Sequence, residues 1–494
     1  MNDTRHAILK ELISFGKDFQ KTHIADLHHQ NSIENRNIKH DLLNFDYSKQ
    51  RVDDEVLDYL IQIPDLIDLK ESLAELFSGH LLNPSEERGV SHTLYRKKTS
   101  VDNFELIFTE RNRVKEFLER NTSNGPVKDL ICISIGGSRL GSELLYEFQS
   151  LNDLTNIHFC SSYDLYELKD ILENCQQTET IVFACSKSFE TSEIIKNLNY
   201  VKSWFLENPN VNFQDHLFGI SSNVRAMTAY GIKENNQFIV LDSLGGRFSL
   251  WSSISLPAFV NSSYDSYQRF LEGAQLADEH TSLSSWESNI PVIMALLSIW
   301  NANSLNINNH GIFTYSFRLR SLTKYIAQLA MESNGKSVNF QSEVSPFKTT
   351  PLIWGGYGVE LQHSTFQWLM QGKTHTSCDF VGINDQRNES TDSQAMLLSQ
   401  VVAMTYGEKN KDQPFKSIRG NNPCSIVQLN SYDLKNLGFL LALYEHKTFI
   451  EALILGVDPF DQWGVQLGKK LATNSKNNEK FLADYFSSEF LPKS

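Results

Sequence analysis

From Lys128 onward the chain repeats one pattern, a short β-rich apolar run followed by an amphipathic stretch at helical spacing. The runs are LICISI, IHFC, TIVFAC, HLFGIS and FIVL. Such alternation predicts a parallel sheet with helices on its faces. A longer helical region is expected from about Asp265 to Ser333, including the nearly all-apolar PVIMALLSIW, and beyond it PLIWGG, SCDFVGI and SIVQLN suggest a second sheet. The first hundred residues read as helical and charged, a cap or packing arm that ends in NPSEERGVSHTLYRKK with Arg88, His92 and Arg96. The expected fold class is therefore α/β, two parallel-sheet modules in one continuous body. Residues 1–105 form a helical N-terminal region packing on the second module, 106–262 the first module, 263–460 the second, and 461–494 a C-terminal helix and polar tail.

Composition narrows the function classes. With 494 residues, 40% hydrophobic and 21% charged, the chain suits a large soluble globular protein. A net charge of -14 argues against general attraction to nucleic acid or to an anionic membrane, so an anionic ligand needs a locally basic pocket. The six cysteines, Cys132, Cys160, Cys175, Cys185, Cys378 and Cys424, show no CxxC or Cys/His ligand spacing and read as reduced core residues. The N-terminus MNDTRHAILKEL lacks the apolar stretch of a signal peptide, so secretion is not indicated. The apolar segment GFLLALYEHKTFIEALILGV is interrupted by Glu445, His446, Lys447 and Glu451 and is not a membrane span.

Ligands of open α/β sheets bind beyond the carboxyl ends of the strands, so the chemistry is sought there. After LICISI come Gly136, Gly137 and Ser138, where close backbone approach and a helix N-terminus would suit a phosphate; a Gly-rich packing turn would look the same. After TIVFAC come Ser186, Lys187, Ser188 and Thr191, several hydroxyls and an ammonium at a strand-to-helix junction, as a dianionic phosphate requires. N-capping explains one or two of those hydroxyls but not the cluster. After FIVL come Asp242, Gly245, Gly246 and Arg247, whose guanidinium either reaches charge developing on a reacting oxygen or pairs with Asp242.

Gln328 and Glu332 lie four apart on a helix that Asn334-Gly335 stops, and a carboxylate in that last turn suits a general base. NGKS is similar to part of a P-loop, but Ala330 occupies the place of that motif's first glycine, so nucleotide binding is discounted. His363 follows the glycine-rich IWGGYG, where proton transfer is permitted. Near the C-terminus, EALILGVDPFDQWGVQLGKKLA places Gln462 and Lys469 seven residues apart. On a continuous helix, with Asp461 as N-cap, their heads fall within about 20° of one another and point at one small ligand. A plain docking helix carrying Trp463 is the structural alternative.

Taken together the chain resembles the glucose-6-phosphate isomerase family, metal-independent aldose–ketose isomerases of glycolysis. The resemblance covers almost the whole chain through IGGSRLG, SKSFETSE, LGGRFSLWS, MESNGKSV, QHSTFQWLMQGKT, the CDF at Cys378 to Phe380, YEHKTF and FDQWGVQLGKKLA, all in the family's order. It implies two sugar isomerase (SIS) type modules, no cofactor and no metal. It implies a phosphate site of Gly137, Ser138, Ser186, Lys187, Ser188 and Thr191. Glu332 is then the base that moves a proton between C1 and C2 through a cis-enediol, with Gln328 beside it. His363 and Lys469 help open the sugar ring, and Arg247 and Gln462 stabilise the enediolate. It also implies a cytoplasmic homodimer that shares His363 across the interface.

Three departures stand out: Val359, Glu360 and Leu361 where the family usually reads GTNGQH, Arg139 where an Asp is usual, and Gln466 where a Glu is usual. None replaces a catalytic group. Two other readings remain at this stage, a non-catalytic sugar-phosphate-binding regulator on the same modules and an isomerase of another phosphorylated aldose such as mannose 6-phosphate.

Overall fold

The computed structural model describes residues 2–477 except 20, 31–35, 100, 101, 103, 124–126, 150–154, 163 and 385–390. The expected tail beyond 477 lies outside the described residues. Two strands near the N-terminus, β1 (Asn37–Lys39) and β2 (Leu43–Lys49), precede a run of five, β3 (Asp129–Ser134), β4 (Asn156–Cys160), β5 (Thr180–Cys185), β6 (Leu217–Ser221) and β7 (Gln237–Ile239). Four more follow, β8 (Asn309–Thr314), β9 (Leu352–Tyr357), β10 (Ser377–Ile383) and β11 (Cys424–Leu429). A two-residue hairpin, Leu82–Asn83 with Arg88–Gly89, stands apart.

The first sheet is parallel throughout, in the order β4-β3-β5-β6-β7. Leu130, Cys132, Phe183 and Cys185 belong to one core, whereas Ile131, Ile133, Val182 and Ala184 belong to another on the opposite face. Because both faces are covered, LICISI and TIVFAC are apolar at every position rather than at alternate ones. Helices α1 (Gly137–Gln149), α2 (Leu165–Glu173) and α3 (Ser192–Leu206) make the first crossovers. The strand order reverses between β3 and β5, and the crevice beyond such a switch point is where an open sheet takes its ligand.

The second sheet has the order β1-β2-β11-β10-β8-β9, with β8 to β11 parallel and the N-terminal pair antiparallel at one edge. Two expectations are corrected here. The N-terminal region is not simply helical: Leu43, Phe45 and Tyr47 are buried at alternate positions, a period-2 signal that makes β2 a strand of the sheet. The stretch from Asp265 to Ser333 is not continuously helical either, because β8, NHGIFT, lies inside it and pairs on both sides. Six residues with one glycine between long apolar helices carry too little periodicity to announce a strand.

Helices α4 (Tyr264–Leu283), α5 (Ile290–Ile299), α6 (Leu322–Asn334), α7 (Thr391–Tyr406), α8 (Leu434–Leu455) and α9 (Gln466–Asn477) complete the elements used below. From Asn436 to Leu455 every residue of α8 is buried. Its polar residues are matched inside the protein: Glu445 accepts from Trp251 Nε1 at 2.9 Å and pairs with Arg96, His446 lies 2.7 Å from Asp278, and Lys447 pairs with Glu451 at 2.6 Å. Among the described residues no helix is long and apolar enough to cross a membrane. All six cysteines are free, and five are buried.

Candidate active site

Four chain segments converge beyond the carboxyl ends of the first sheet. Gly136 adopts φ +57°, which favours glycine, and turns the chain from β3 into α1; a methyl group there would stand 3.3 Å from the Gln328 amide nitrogen on α6. Gly137 is pressed against the second glycine loop, since a Cβ on it would lie 2.3 Å from the Gly246 carbonyl carbon. These contacts bring the loop after β3, the loop after β7 and the end of α6 together.

Glu332 sits in the last turn of α6, three-quarters buried. Gln328, one turn back, donates to one of its carboxylate oxygens at 2.8 Å, and Arg247 Nη1 lies 3.9 Å from the other. Arg247 is buried and spread over four acceptors: Ser333 Oγ at 2.7 Å, Gln462 Oε1 at 2.7 Å, the Asp461 carbonyl at 2.9 Å and the Pro459 carbonyl. Burial pulls its pKa down while the charges of Glu332 and Asp461 pull it back up. The expected alternative, an ion pair with Asp242, is not formed by Arg247; Asp242 lies 3.5 Å from both Arg88 and Lys187. Glu332 and Gln462 line a cavity of about 660 Å³ together with Lys336, Asp458 and Asp461, room enough for a hexose phosphate.

At the loop after β5, Ser186 Oγ and Thr191 Oγ1 lie 3.3 Å apart, and the Phe189 N–H donates to Ser186 Oγ at 3.2 Å. Thr191 precedes α3 but makes no side-chain cap bond, so its hydroxyl is not consumed in capping. The Ser188 hydroxyl accepts from the Glu190 N–H at 3.3 Å. Phe189 holds φ +54°, a left-handed conformation costly for a non-glycine residue and frequent where a loop is shaped for a ligand. Lys187 turns toward the loop after β7, donating to the Asp242 carbonyl at 2.5 Å; burial lowers its pKa and the Asp242 carboxylate raises it. Gly137 and Ser138 open α1, with the Ser138 N–H bonded back to the Ile135 carbonyl at 3.3 Å.

Of the sequence-derived site residues only Glu332 and Gln462 line this cavity; Lys187 lines a separate small crevice with Arg88 and Asp242, and His363 and Lys469 stand on exposed surface. His363 is exposed in the turn that follows Gly358–Leu361, its N–H bonded to the Glu360 carbonyl at 3.2 Å. Lys469 is exposed on α9. The expected continuous helix from Gln462 to Lys469 is also corrected: Gln462 is non-helical (φ -154°, ψ 52°), a 3-10 turn covers Trp463–Val465, and α9 begins at Gln466. Asp461 does not cap; its carboxylate pairs with Lys336 at 3.0 Å. The proline and glycine of DPFDQWG interrupt the chain early enough that Arg247 can gather the carbonyls before the helix starts.

Sequence reasoning missed Lys336. It donates to the carbonyls of Ser333, Asp458 and Asp461 and pairs with the Asp461 carboxylate, so it clamps the segment that carries Gln462 to the end of α6. The available signal was the lysine directly after the helix stop, read only against a P-loop. The unusual Arg139 is accommodated by turning to Glu143 at 3.1 Å and toward Glu167 at 3.8 Å.

The family profile described as Phosphoglucose isomerase matches residues 46–489. The chain belongs to the phosphoglucose isomerase family. Similar members include the glucose-6-phosphate isomerase of Pseudoalteromonas translucida, 37% identical over 87% of this chain and 86% of the relative, and that of Hydrogenovibrio crunogenus, 34% identical over 90% and 89%. The crystal structure of a glucose-6-phosphate isomerase from Chlamydia trachomatis superposes with a TM-score of 0.89 at 28% identity, covering 97% of this chain and 96% of that one. The α/β fold with one parallel sheet and one mostly parallel sheet is thus the fold of phosphoglucose isomerases, and the chain is an aldose–ketose isomerase.

Proposed function

We propose that the chain interconverts glucose 6-phosphate and fructose 6-phosphate, with Glu332 as the base that carries the proton between C1 and C2. The observation that carries this reading is the placement of Glu332: one carboxylate oxygen held by Gln328, the other facing Arg247, on the wall of a cavity that Gln462 also lines. Removing a proton from a carbon beside a carbonyl creates an enediolate, and Gln462 and the buried Arg247 supply donors to it, an effect worth roughly 3 kcal/mol per well-placed donor. The hydroxyls of Ser138, Ser186, Ser188 and Thr191, the Gly137 backbone and Lys187 hold the phosphoryl end and so align the reacting carbons. Anchoring phosphate would draw Lys187 away from Asp242. Residues 106–262, with the first sheet, and 263–460, with the four parallel strands of the second sheet to which the N-terminal pair β1 and β2 adds an edge, serve as the two modules, and the six free cysteines suit a reducing compartment such as the cytoplasm.

His363, which opens the sugar ring together with Lys469, acts across a homodimer interface. His363 lies on a face bearing exposed Val359 and Trp368, with exposed Phe415 held nearby through its carbonyl and Gln371, and a second copy of the chain would cover that face. Mixing separately inactive Glu332→Gln and His363→Ala proteins should restore activity through mixed dimers, read in the coupled assay; mixtures as dead as their components would refute a shared site.

The direct test is a coupled assay on fructose 6-phosphate without added metal. Wild-type protein should turn over, and Glu332→Gln should lower kcat by about 10²–10⁴-fold. An inactive wild type would favour a regulator that only binds sugar phosphates, and a fully active Glu332→Gln would remove the base assignment.

A further inference from the structure

The opposite rim of the first sheet carries a second cluster of reactive side chains. Asp129 opens β3, His158 is the third residue of β4, and Cys175 lies between α2 and β5. In the parallel register Asp129 stands beside Asn156 and Ile131 beside His158, which makes Asp129 and His158 diagonal neighbours on the same face as the core that α2 and α3 cover. One oxygen of Asp129, one ring nitrogen of His158 and the Cys175 sulfur all lie within 4.8 Å of one another. The Asp129 oxygen is 2.9 Å from His158 Nε2 and accepts from Asn156 Nδ2 at 3.2 Å, so the carboxylate is fixed in place. Asp129 is buried whereas His158 and Cys175 are half-buried, which leaves a path from solvent. The isomerase loops follow the carboxyl ends of these strands, and this cluster lies toward the amino ends.

We propose that Asp129, His158 and Cys175 bind a divalent transition-metal ion of the zinc class. One sulfur, one imidazole nitrogen and one carboxylate oxygen form a three-ligand set of the kind that leaves a fourth position of a tetrahedral ion for water. Bond lengths of about 2.0–2.3 Å place tetrahedral ligand atoms about 3.3–3.6 Å apart. The carboxylate–imidazole contact must open by roughly half an ångström and the sulfur must draw in from at most 4.8 Å, both within reach of side-chain torsions. The thiol disfavours calcium and magnesium, which take oxygen ligands. Without metal, burial and the Asp129 charge push the Cys175 thiol up to about 12, so the sulfur keeps its proton and is no nucleophile. A dication reverses that sign: the thiol proton leaves to solvent as the sulfur–metal bond forms, one proton released per ion bound. The ion would tie the end of α2 to two strands, a staple remote from the isomerase chemistry.

The test is a cobalt(II) titration of the chelator-treated full-length protein. Wild type should develop a thiolate-to-cobalt charge-transfer band in the near ultraviolet with tetrahedral d–d bands in the visible, and zinc should displace them and raise the melting temperature. Cys175→Ser should lose the charge-transfer band, and His158→Gln should bind cobalt at least about tenfold more weakly, with isomerase turnover unchanged in both. A wild type without the band, or a band that persists in Cys175→Ser, overturns the site. If Cys175→Ser does not fold, His158→Gln decides, because undiminished cobalt affinity in that variant is equally fatal.

Discussion

At the scale of single residues, the site depends on two cations that organise one turn of chain. Arg247 and Lys336 between them bind the carbonyls of Asp458, Pro459 and Asp461, and Arg247 also holds the Gln462 amide. Lys336→Met should therefore do two things. It leaves the buried Asp461 carboxylate without its cation, which costs about 3–5 kcal/mol of stability on urea unfolding. It also frees Asp461 to compete for Arg247, so kcat should fall by about tenfold or more while KM moves less, since the phosphate loops are untouched. Lys336→Arg, which keeps the charge, should recover part of both; a variant with wild-type kcat would show that the clamp is irrelevant to turnover. Glu332, Gln328 and Arg247 were legible in the sequence because helix spacing and paired glycines are local signals. Lys336 was not, because its partners at 458–461 come from more than a hundred residues away and only the fold brings them to it. The same reason hid the pairing of Asp242 with Lys187 rather than with Arg247.

At the scale of elements, the crossing of α4 and α8 holds the second sheet's helical layer together. A Cβ on Gly273 would lie 1.8 Å from the Lys435 carbonyl oxygen, and one on Gly438 would lie 2.1 Å from the Phe270 carbonyl oxygen. Those neighbours are backbone, which cannot swing aside as a side chain can. Gly438→Ala normally gains up to about 1 kcal/mol in helix propensity, but here overpacking costs more, about 2–3 kcal/mol, so the net effect should be destabilising. A melting temperature equal to or above wild type would mean that the helices are able to part without loss. The elements themselves were mostly legible: all five strands of the first sheet fall on the apolar runs, because strands buried on both faces advertise themselves. The strand β8 and the pair β1 and β2 escaped, one because Asn309, His310 and Gly311 dilute its apolar run and the other because alternating LNFDYSK lies between helical, charged segments. The break before α9 escaped because a 3.6-residue pattern can be drawn through a 3-10 turn without the chain following it.

At the scale of the whole molecule, buried imidazoles set the response to acid. His280 accepts the Ile290 N–H at Nε2, 3.1 Å away, and its Nδ1 faces Ser284 Oγ at 3.1 Å, an arrangement that requires the neutral ring. Burial first, then the charges of His40 and His446, depress its pKa to about 4. His375 is lowered to about 4 by burial and by Arg419 and Arg51, and His92, fully enclosed, lies well below its ordinary value. An unfolded chain protonates these rings near pH 6.5, so between pH 6.5 and pH 4 it binds more protons than the native protein and stability falls as pH is lowered. Glu110, Glu147 and Asp458 work in the other direction, since burial raises their pKa values and their burial becomes cheaper in acid. His280 and His375, lowered to about 4, each bind fewer protons in the native protein than in the unfolded chain throughout the span from pH 6.5 to pH 5. The expected outcome is a lower urea midpoint at pH 5 than at pH 7, with about 1–2 kcal/mol lost per buried ring after allowance for solvent screening. His280→Gln should be less stable than wild type at pH 7 yet lose less on acidification, so the gap between the two proteins narrows toward pH 5. Midpoints that coincide at the two pH values for wild type, or a gap that stays constant, would place the acid sensitivity elsewhere in the protein.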